Sequence, residues 1–279
     1  MAEFTVEDLE YQRQGGKPIL ARLYRPAGKG PFPAVCEVHG GAWTSGDRLN
    51  NVDIAKALAA DGTLVLSLDF RMPPEAPYPT AIADINLGVR WLKAHATEFG
   101  SRPELVGGLG SSSGGHLLLL STMRPTDPRY AALPLVGKAG AGGFDARLPW
   151  VIACWPVADP LARYHAVKAR GNDRLVQAHH AFWPSEAAMA EGSPQGILAR
   201  GEPAELPPAL VLQGTNDDNL TPDMADNFVA AYRKRGGTIE LEKFEGQPHT
   251  FVSKDPTSAA SLRALERIKG FVRQQAKLA

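Results

Sequence analysis

The chain has 279 residues, of which 44% are hydrophobic and 22% are charged, a composition typical of a globular protein that can bury a large core. Its 30 basic and 30 acidic residues give a formal net charge of zero, and no run of like charge stands out. A basic surface for nucleic acid or for an anionic membrane is therefore not expected.

In chain order, the sequence pattern predicts an α/β protein. Short aliphatic segments bounded by Gly, Pro and Asp alternate with longer segments of helical spacing, which is typical of a mostly parallel sheet with covering helices. The predicted strands are a pair at 3–12 and 18–25 joined at Gly15-Gly16, then Pro33–Val38, Thr63–Phe70, Leu105–Leu109, Trp150–Trp155, Ala209–Leu212 and Ile239–Phe244. The predicted helices are Val52–Ala60, 80–97, Gly114–Met123 and Ala259–Gln274. A further helix is predicted after Ala209–Leu212, with Thr221 as its N-cap and Pro222 at its first position. No repeat or linker divides the chain, so a single domain, 1–279, is predicted.

Targeting signals and reactive thiols are not expected. The start, Met1-Ala2-Glu3-Phe4, lacks a basic segment followed by an apolar stretch, so no signal peptide is predicted. No apolar run approaches the roughly 18 residues that cross a bilayer, and a cytoplasmic location is predicted. Cys36 and Cys154 lie inside apolar runs and are expected to be reduced, buried thiols without a catalytic role.

The segment Gly110-Ser111-Ser112-Ser113-Gly114 lies between a predicted strand and a predicted helix, the context that a nucleophile elbow requires. So tight a turn needs almost no side chain two residues before and after the nucleophile, and its strained backbone presents the central hydroxyl. Only Ser112 has glycine at both positions, so it is favoured over Ser113. A turn that merely connects strand and helix is the structural alternative, and a second signal is needed.

A second glycine-rich segment, His39-Gly40-Gly41-Ala42-Trp43, follows the strand predicted at Pro33–Val38. An oxyanion hole needs N–H donors preset where negative charge develops. The backbone amides of Gly41, Ala42 and Ser113 are the candidate donors, and an ordinary glycine turn is the alternative.

A serine nucleophile also needs a base, and the base needs an orienting acid. Behind a nucleophile elbow the order along the chain is serine, acid, histidine. Of the seven histidines, only His249 follows the strand predicted at Ala209–Leu212. Asp217 and Asp218 come directly after that strand, and Asp159 is a reserve acid whose alternative role is a helix cap.

Together, five ordered stretches resemble the acetyl-esterase and hormone-sensitive-lipase-like branch of the α/β-hydrolases, from about residue 17 to 275. His39 to Trp43 resembles the family's His-Gly-Gly-Gly motif, and Asp69 to Glu75 resembles its Asp-Tyr-Arg-Leu-Ala-Pro-Glu stretch. Gly110 to His116 resembles its Gly-Ser-Ser-Ala-Gly-Gly-His elbow. Gly214 to Asp217 resembles its Gly-Thr-x-Asp motif, and Pro248 to Phe251 resembles its His-x-Phe motif. The resemblance implies the α/β-hydrolase fold: a mostly parallel eight-stranded sheet with helices on both faces and a small helical cap. It also favours Asp217 over Asp218 as the triad acid, since Asp217 ends the Gly-Thr-x-Asp match.

The function that the resemblance implies is hydrolysis of small carboxylic esters through an acyl-enzyme, with Ser112, Asp217 and His249 as the triad. No metal or organic cofactor is implied. An arylformamidase is the nearest rival, because a tryptophan after His-Gly-Gly-Ala also occurs in enzymes that deformylate aryl amides. A non-catalytic module that binds small ligands is a further rival, although no triad member is missing. Related esterases are often dimers, so the resemblance also admits a homodimer.

The chain departs from the family at two places. Ala42 replaces the third glycine, which keeps the N–H but narrows the pocket by a methyl group, and the N-terminal region is too short for the full helical cap. A cap-like insertion is therefore predicted at about 157–207. The aromatic residues predicted to line the substrate pocket are Trp43, Trp155, Tyr164, Phe182 and Trp183. Packing of the insertion's rings onto the sheet is the equally weighted alternative.

Overall fold

An eight-stranded sheet forms the centre of the molecule. A computed structural model describes residues 3–136 and 143–277, so Met1 and Ala2 of the chain start lie outside the described residues. The strands are β1 (Phe4–Gln14), β2 (Lys17–Pro26), β3 (Phe32–Val38), β4 (Leu64–Leu68), β5 (Ser101–Ser111), β6 (Val151–Cys154), β7 (Ala209–Gly214) and β8 (Ile239–Phe244). Their order across the sheet is β1-β2-β4-β3-β5-β6-β7-β8. Only β2 runs antiparallel to its neighbours; every other pair is parallel.

The register of the parallel strands brings their carboxyl ends to one edge of the sheet. Val38 lies beside Gly110, Ser111 beside Cys154, and Gly214 beside Phe244. Strands β4, β6 and β7 are buried along their whole length, because a parallel sheet covered by helices leaves neither face of its inner strands in water. The loops that follow β3, β5, β7 and β8 therefore meet above this edge.

Helices connect the strands and cover both faces of the sheet. They are α1 (Val52–Ala60), α2 (Thr80–His95), α3 (Ser113–Met123), α4 (Pro160–Ala169), α5 (Asp173–Phe182), α6 (Glu186–Glu191), α7 (Pro194–Ala199), α8 (Met224–Lys234), α9 (Phe251–Lys254) and α10 (Ala259–Ala276). Helix α1 packs against α10, and α2 packs against α3. The predicted fold class, a mostly parallel eight-stranded α/β-hydrolase sheet, is confirmed.

The helix predicted to start at Pro222 begins later than expected. Its first residue is Met224 and its N-cap position is Asp223, so the prediction of Thr221 as the cap is wrong. The cause is a turn in which the amide of Met224 donates to the carbonyl of Thr221 at 3.2 Å. That bond holds residues 221–223 outside the helix.

Helices α4 to α7 all lie in the segment between β6 and β7, where the cap-like insertion is predicted. Each begins at a polar N-cap whose side chain accepts a hydrogen bond from a backbone amide of the first turn. These caps are Asp159, Asn172, Ser185 and Ser193. Four short helices in about forty residues are thus individually started by local sequence signals.

The two cysteines are buried and free, and burial raises the pKa of both thiols, which leaves them protonated and unreactive. Among the described residues, no helix combines the length and apolar character that crossing a membrane requires.

Candidate active site

Three predicted site residues meet above the carboxyl edge of the sheet. Ser112 Oγ lies 2.8 Å from His249 Nε2, and His249 Nδ1 lies 2.7 Å from Asp217 Oδ2. The three come from the turn after β5, the loop after β7 and the loop after β8. Since the carboxylate accepts from Nδ1, Nε2 is left free to accept the Ser112 hydroxyl proton.

Asp217 is held in an ionised state by its hydrogen bonds. Its Oδ1 accepts from the amide of Asn219 at 2.9 Å, and its Oδ2 accepts from Gln213 Nε2 at 2.9 Å as well as from His249. Burial by itself would raise the pKa of Asp217, but these hydrogen bonds and the charge of His249 outweigh it and hold the pKa below its usual range. A lasting negative charge therefore faces the imidazole.

Ser112 sits in a strained backbone conformation, with φ 53° and ψ −122°. Its amide donates to the Cys154 carbonyl at 2.9 Å, and its carbonyl accepts from Val157 at 3.2 Å, so the end of β6 and the loop after it hold the turn. A Cβ on Gly110 would lie 2.7 Å from the Gly114 carbonyl oxygen, and a Cβ on Gly114 would overlap the backbone of His39. The glycines around Ser112 are therefore required by close approach.

The glycine-rich loop after β3 lies against this elbow. Gly41 and Ala42 both have positive φ, at 122° and 51°, and the amide of Trp43 donates to Ser113 Oγ at 3.2 Å. Within the described structure, the amides of Gly41, Ala42 and Ser113 donate to no protein acceptor. Three free N–H groups thus flank Ser112, while the hydroxyl of Ser113 is engaged with the loop.

The other candidate acids take structural positions. Asp159 caps α4 by accepting from the amide of Ala162 at 3.1 Å, which is the alternative role expected for it. Asp218 is exposed, and its carbonyl accepts from Arg170 at 2.7 Å. Neither carboxylate is hydrogen-bonded to His249.

A cavity of about 420 Å³ opens onto Ser112 and His249. Its wall includes Gly40, Gly41, Ala42, Asn50, Asn51, Ser111, Arg163, Arg174, Leu175, Asn219, Thr250, Ser253 and Lys254. The volume suits a small molecule and falls in the lower part of the range of ligand pockets. The wall is largely polar, and all of its charged side chains are cations.

A buried polar network lies beside the elbow. Asn51 is hydrogen-bonded to Ser111 Oγ at 2.9 Å and donates to a carboxyl oxygen of Glu37 on β3. Glu37 is fully buried, and this burial raises its pKa to about 7 in spite of the hydrogen bond from Asn51. A titratable carboxyl is thus linked through Asn51 to the residue next to Ser112.

A comparison with known protein families finds a match in the first half of the chain. The family model described as BD-FAE matches residues 22–152, a span that includes the glycine-rich loop and Ser112. It ends before Asp217 and His249.

Curated proteins match more of the chain. Carboxylic ester hydrolase LipN of Mycobacterium tuberculosis is 29% identical over 258 residues, which cover 89% of this chain and 64% of LipN. Esterase LipC of the same organism is 30% identical over 219 residues, which cover 76% of this chain and 52% of LipC. The chain thus spans about half to two thirds of the length of these relatives.

Solved structures match the whole fold. Carboxyl esterase 2 of Tuber melanosporum aligns with a TM-score of 0.78 at 22% identity, over 99% of this chain and 88% of that chain. Propionate-bound esterase 2 of Thermogutta terrifontis aligns with a TM-score of 0.75 at 24% identity, over 98% and 94% of the two chains. The same Thermogutta protein phosphorylated by paraoxon aligns with a TM-score of 0.76 at 22% identity, over 96% and 94%.

The chain has the α/β-hydrolase fold, and its matches support the hormone-sensitive-lipase-like branch. Its glycine-rich loop departs from the motif of that branch at Ala42, whose methyl group packs with Val167, Leu175 and Ala178 of the cap while the residue also lines the cavity. The methyl therefore joins the glycine-rich loop of this α/β-hydrolase to its cap, besides narrowing the pocket.

The aromatic residues predicted to line the substrate pocket are elsewhere. Trp43, Trp155, Tyr164, Phe182 and Trp183 are at most 4% exposed, and none of them lines the cavity. Trp43 stacks on Phe182 at 5.4 Å between ring centroids, and Trp155 contacts Phe251 at 5.2 Å. The prediction that these residues line the substrate pocket is wrong. Their large apolar rings are buried in packing contacts instead, and this burial holds the cap on the sheet.

His116 has a role that sequence reasoning missed. Its Nδ1 accepts from Trp43 Nε1 at 3.1 Å, and its Nε2 donates to the carbonyl of Gly192 at 2.8 Å. Burial lowers the pKa of His116 to about 3, so the ring is neutral and keeps this tautomer. It thereby joins helix α3, the glycine-rich loop after β3 and the cap.

Sequence reasoning also missed the polar wall of the cavity, notably Arg163, Arg174, Asn219 and Lys254. Nothing in their local sequence distinguishes them from solvated surface residues. Tertiary packing alone brings them to Ser112: Arg163 and Arg174 lie on α4 and α5, whereas Asn219 lies in the loop after β7 and Lys254 ends α9.

Proposed function

We propose that this α/β-hydrolase cleaves small carboxylic esters with Ser112 as nucleophile, His249 as base and Asp217 as the orienting acid. The observation that carries the proposal is the continuous hydrogen-bond chain from Ser112 Oγ through His249 to Asp217, which opens into a cavity of about 420 Å³. The esterase and carboxylic ester hydrolase names of its relatives support the same reaction. The paraoxon adduct of the Thermogutta protein agrees with a nucleophilic side chain in this fold.

In the first step, His249 Nε2 takes the proton of Ser112 Oγ as the oxygen attacks the ester carbonyl carbon. The carbonyl oxygen becomes an oxyanion, which the free amides of Gly41, Ala42 and Ser113 are proposed to stabilise. A donor of this kind contributes about 100- to 1,000-fold in rate.

The tetrahedral intermediate then collapses. The bond from carbon to the alcohol oxygen breaks, and His249 gives its proton to the departing alcohol. Water repeats the attack on the acyl-enzyme: His249 takes one water proton, the carboxylic acid leaves, and Ser112 regains its proton. Asp217 keeps the imidazole in one orientation and stabilises its cationic form throughout.

The rival functions have less support. The arylformamidase alternative depends on Trp43, and Trp43 is buried against the cap and does not line the cavity. A non-catalytic binding role gives no reason for the strained backbone of Ser112 or for the hydrogen bonds that orient His249. Comparing turnover of formanilide and phenyl acetate tests the first rival directly.

The deciding experiment compares wild type with Ser112→Ala on p-nitrophenyl acetate, butyrate and octanoate. Saturable turnover should fall by about a thousandfold or more in the variant. A fluorophosphonate probe should label wild type and Ser113→Ala but not Ser112→Ala. If both the wild type and Ser112→Ala are equally slow on every ester, or if Ser112→Ala is still labelled, Ser112 is not the nucleophile.

A further inference from the structure

The wall of the catalytic cavity contains a buried cation without a counter-ion. Arg163 on α4 is 1% exposed and lines the cavity with Ser112. Its Nε and Nη2 donate only to Asn219, at 3.3 Å to the carbonyl and 3.5 Å to Oδ1, and its Nη1 has no partner. No carboxylate of residues 3–136 or 143–277 forms an ion pair with it. A charged side chain is seldom fully buried without an ionic partner.

The groups packed around Arg163 do not neutralise it. Its guanidinium lies 5.2 Å from the ring centroid of Trp43, a favourable contact that leaves the charge intact. Burial, together with the charge of Arg163, lowers the pKa of His179 to about 4 and contributes to the low pKa of His116, so both rings are neutral. Burial lowers the pKa of Arg163 to about 10, which still leaves it charged at neutral pH. The charge of Asp217 reaches it, but that carboxylate is hydrogen-bonded to His249.

The rest of the cavity wall has the same sign of charge. Arg174 and Lys254 also line it, both are exposed, and neither forms an ion pair within the described part of the chain. No aspartate or glutamate is found among the described lining residues. The chain as a whole has 30 basic and 30 acidic residues, so the cavity wall carries an excess of positive charge that the chain does not. Elsewhere the buried charge of Asp84, for example, is paired with Arg71 at 2.7 Å.

We propose that the substrate is an ester carrying a separate ionised carboxylate, and that Arg163 binds this carboxylate. The inference rests on the proposed esterase function and specifies its substrate class. A carboxylate in the cavity would give the unpartnered Nη1 an acceptor, in the paired geometry that guanidinium groups favour. Arg174 and Lys254 would attract the anion to the cavity mouth.

The test uses ester pairs in which an isopropyl group replaces the carboxylate. One pair is monoethyl succinate and ethyl 4-methylpentanoate, with the charge on the acyl side; the other is 4-acetoxybutanoate and 4-methylpentyl acetate, with the charge on the alcohol side. Rates of acid release in a pH-stat give kcat/KM for each. Wild type should favour the anionic member of at least one pair.

Arg163→Met should lower that anionic-to-neutral ratio by about tenfold or more, the size expected for one charge-assisted hydrogen bond. Arg163→Lys should keep part of the preference. Lys168→Met is the matched control, because it removes one cation from an exposed position of the same helix that does not line the cavity. Its ratio should stay near that of wild type.

The proposal is overturned if wild type favours the neutral ester in both pairs, or if Arg163→Met and Lys168→Met leave the same ratio. Should Arg163→Met fail to fold, the anionic-to-neutral ratio of wild type and that of Arg163→Lys still test the proposal. Calorimetric binding of monoethyl succinate to Ser112→Ala, with and without Arg163→Met, separates the two proposals. Arg163-dependent binding without any ester turnover by wild type would support anion recognition and refute the esterase function. Ester turnover without a preference for the anionic ester would support the esterase function and refute anion recognition.

Discussion

Phe182→Leu tests whether the aromatic side chains of the cap serve packing or substrate selection. Phe182 is fully buried, stacks on Trp43 at 5.4 Å, and meets Trp183 and Tyr78 edge to face at 5.0 and 6.1 Å. Leucine keeps an apolar side chain at the site but loses all three ring contacts. The expected result is a less stable protein with unchanged substrate selectivity.

The size of the stability loss follows from those contacts. Each aromatic pair contributes about 0.5–1.5 kcal/mol beyond its buried area, so the loss should be about 2–3 kcal/mol. For a chain of this length that lowers Tm by about 4–6 °C in a thermal scan followed by circular dichroism. Since Phe182 does not line the cavity, the ratio of kcat/KM for p-nitrophenyl octanoate to that for acetate should stay within about twofold of wild type.

Leu175→Ala is the matched comparison, because Leu175 is equally buried but does line the cavity. Removing its side chain enlarges the pocket and should raise the relative rate on octanoate. The reasoning is refuted if Phe182→Leu shifts this selectivity as much as Leu175→Ala does while Tm hardly changes. The rings would then contact the acyl chain.

Single substitutions of three acidic residues have different expected outcomes. Glu37 has a pKa raised from 4.5 to about 7, so the folded protein keeps a proton that the unfolded chain loses between these pH values. In urea titrations, the free energy of unfolding of wild type relative to Glu37→Gln should therefore fall by up to about 3 kcal/mol between pH 4.5 and 7. A difference that does not vary with pH would contradict the buried carboxyl. Asp217→Asn should lower kcat by about 10³- to 10⁴-fold without loss of fold, because an amide cannot stabilise the cationic imidazole of His249; a loss below about tenfold would argue against Asp217 as the acid. Asp159→Ala should cost about 1 kcal/mol of stability and leave ester turnover, and a loss of turnover comparable to that of Asp217→Asn would reassign the acid.

Local patterns were sufficient to predict the sheet and the order of the chemical groups. Each predicted strand is found in the structure, with ends that differ by a few residues, and the buried parallel strands among them are continuous apolar runs in the sequence. The meeting of Ser112, Asp217 and His249 also follows from sequence order, because loops after parallel strands share one edge of the sheet. The start of α8 was missed, since a turn and the first turn of a helix use the same residue types.

By itself, then, the sequence determined the fold class, the elbow and the candidate triad, whereas the lining of the cavity depended on tertiary structure. Arg163 and Tyr164 are adjacent on α4, yet Arg163 lines the cavity while Tyr164 is hydrogen-bonded to His180 away from it. Successive residues of a helix point about 100° apart, so the rotation of α4 on its axis decides which side chain reaches Ser112. That rotation is set by packing of the cap against residues far away in the chain, such as Trp43 beneath Phe182. Local spacing carries no information on such contacts, because a long amphipathic side chain is compatible with either face.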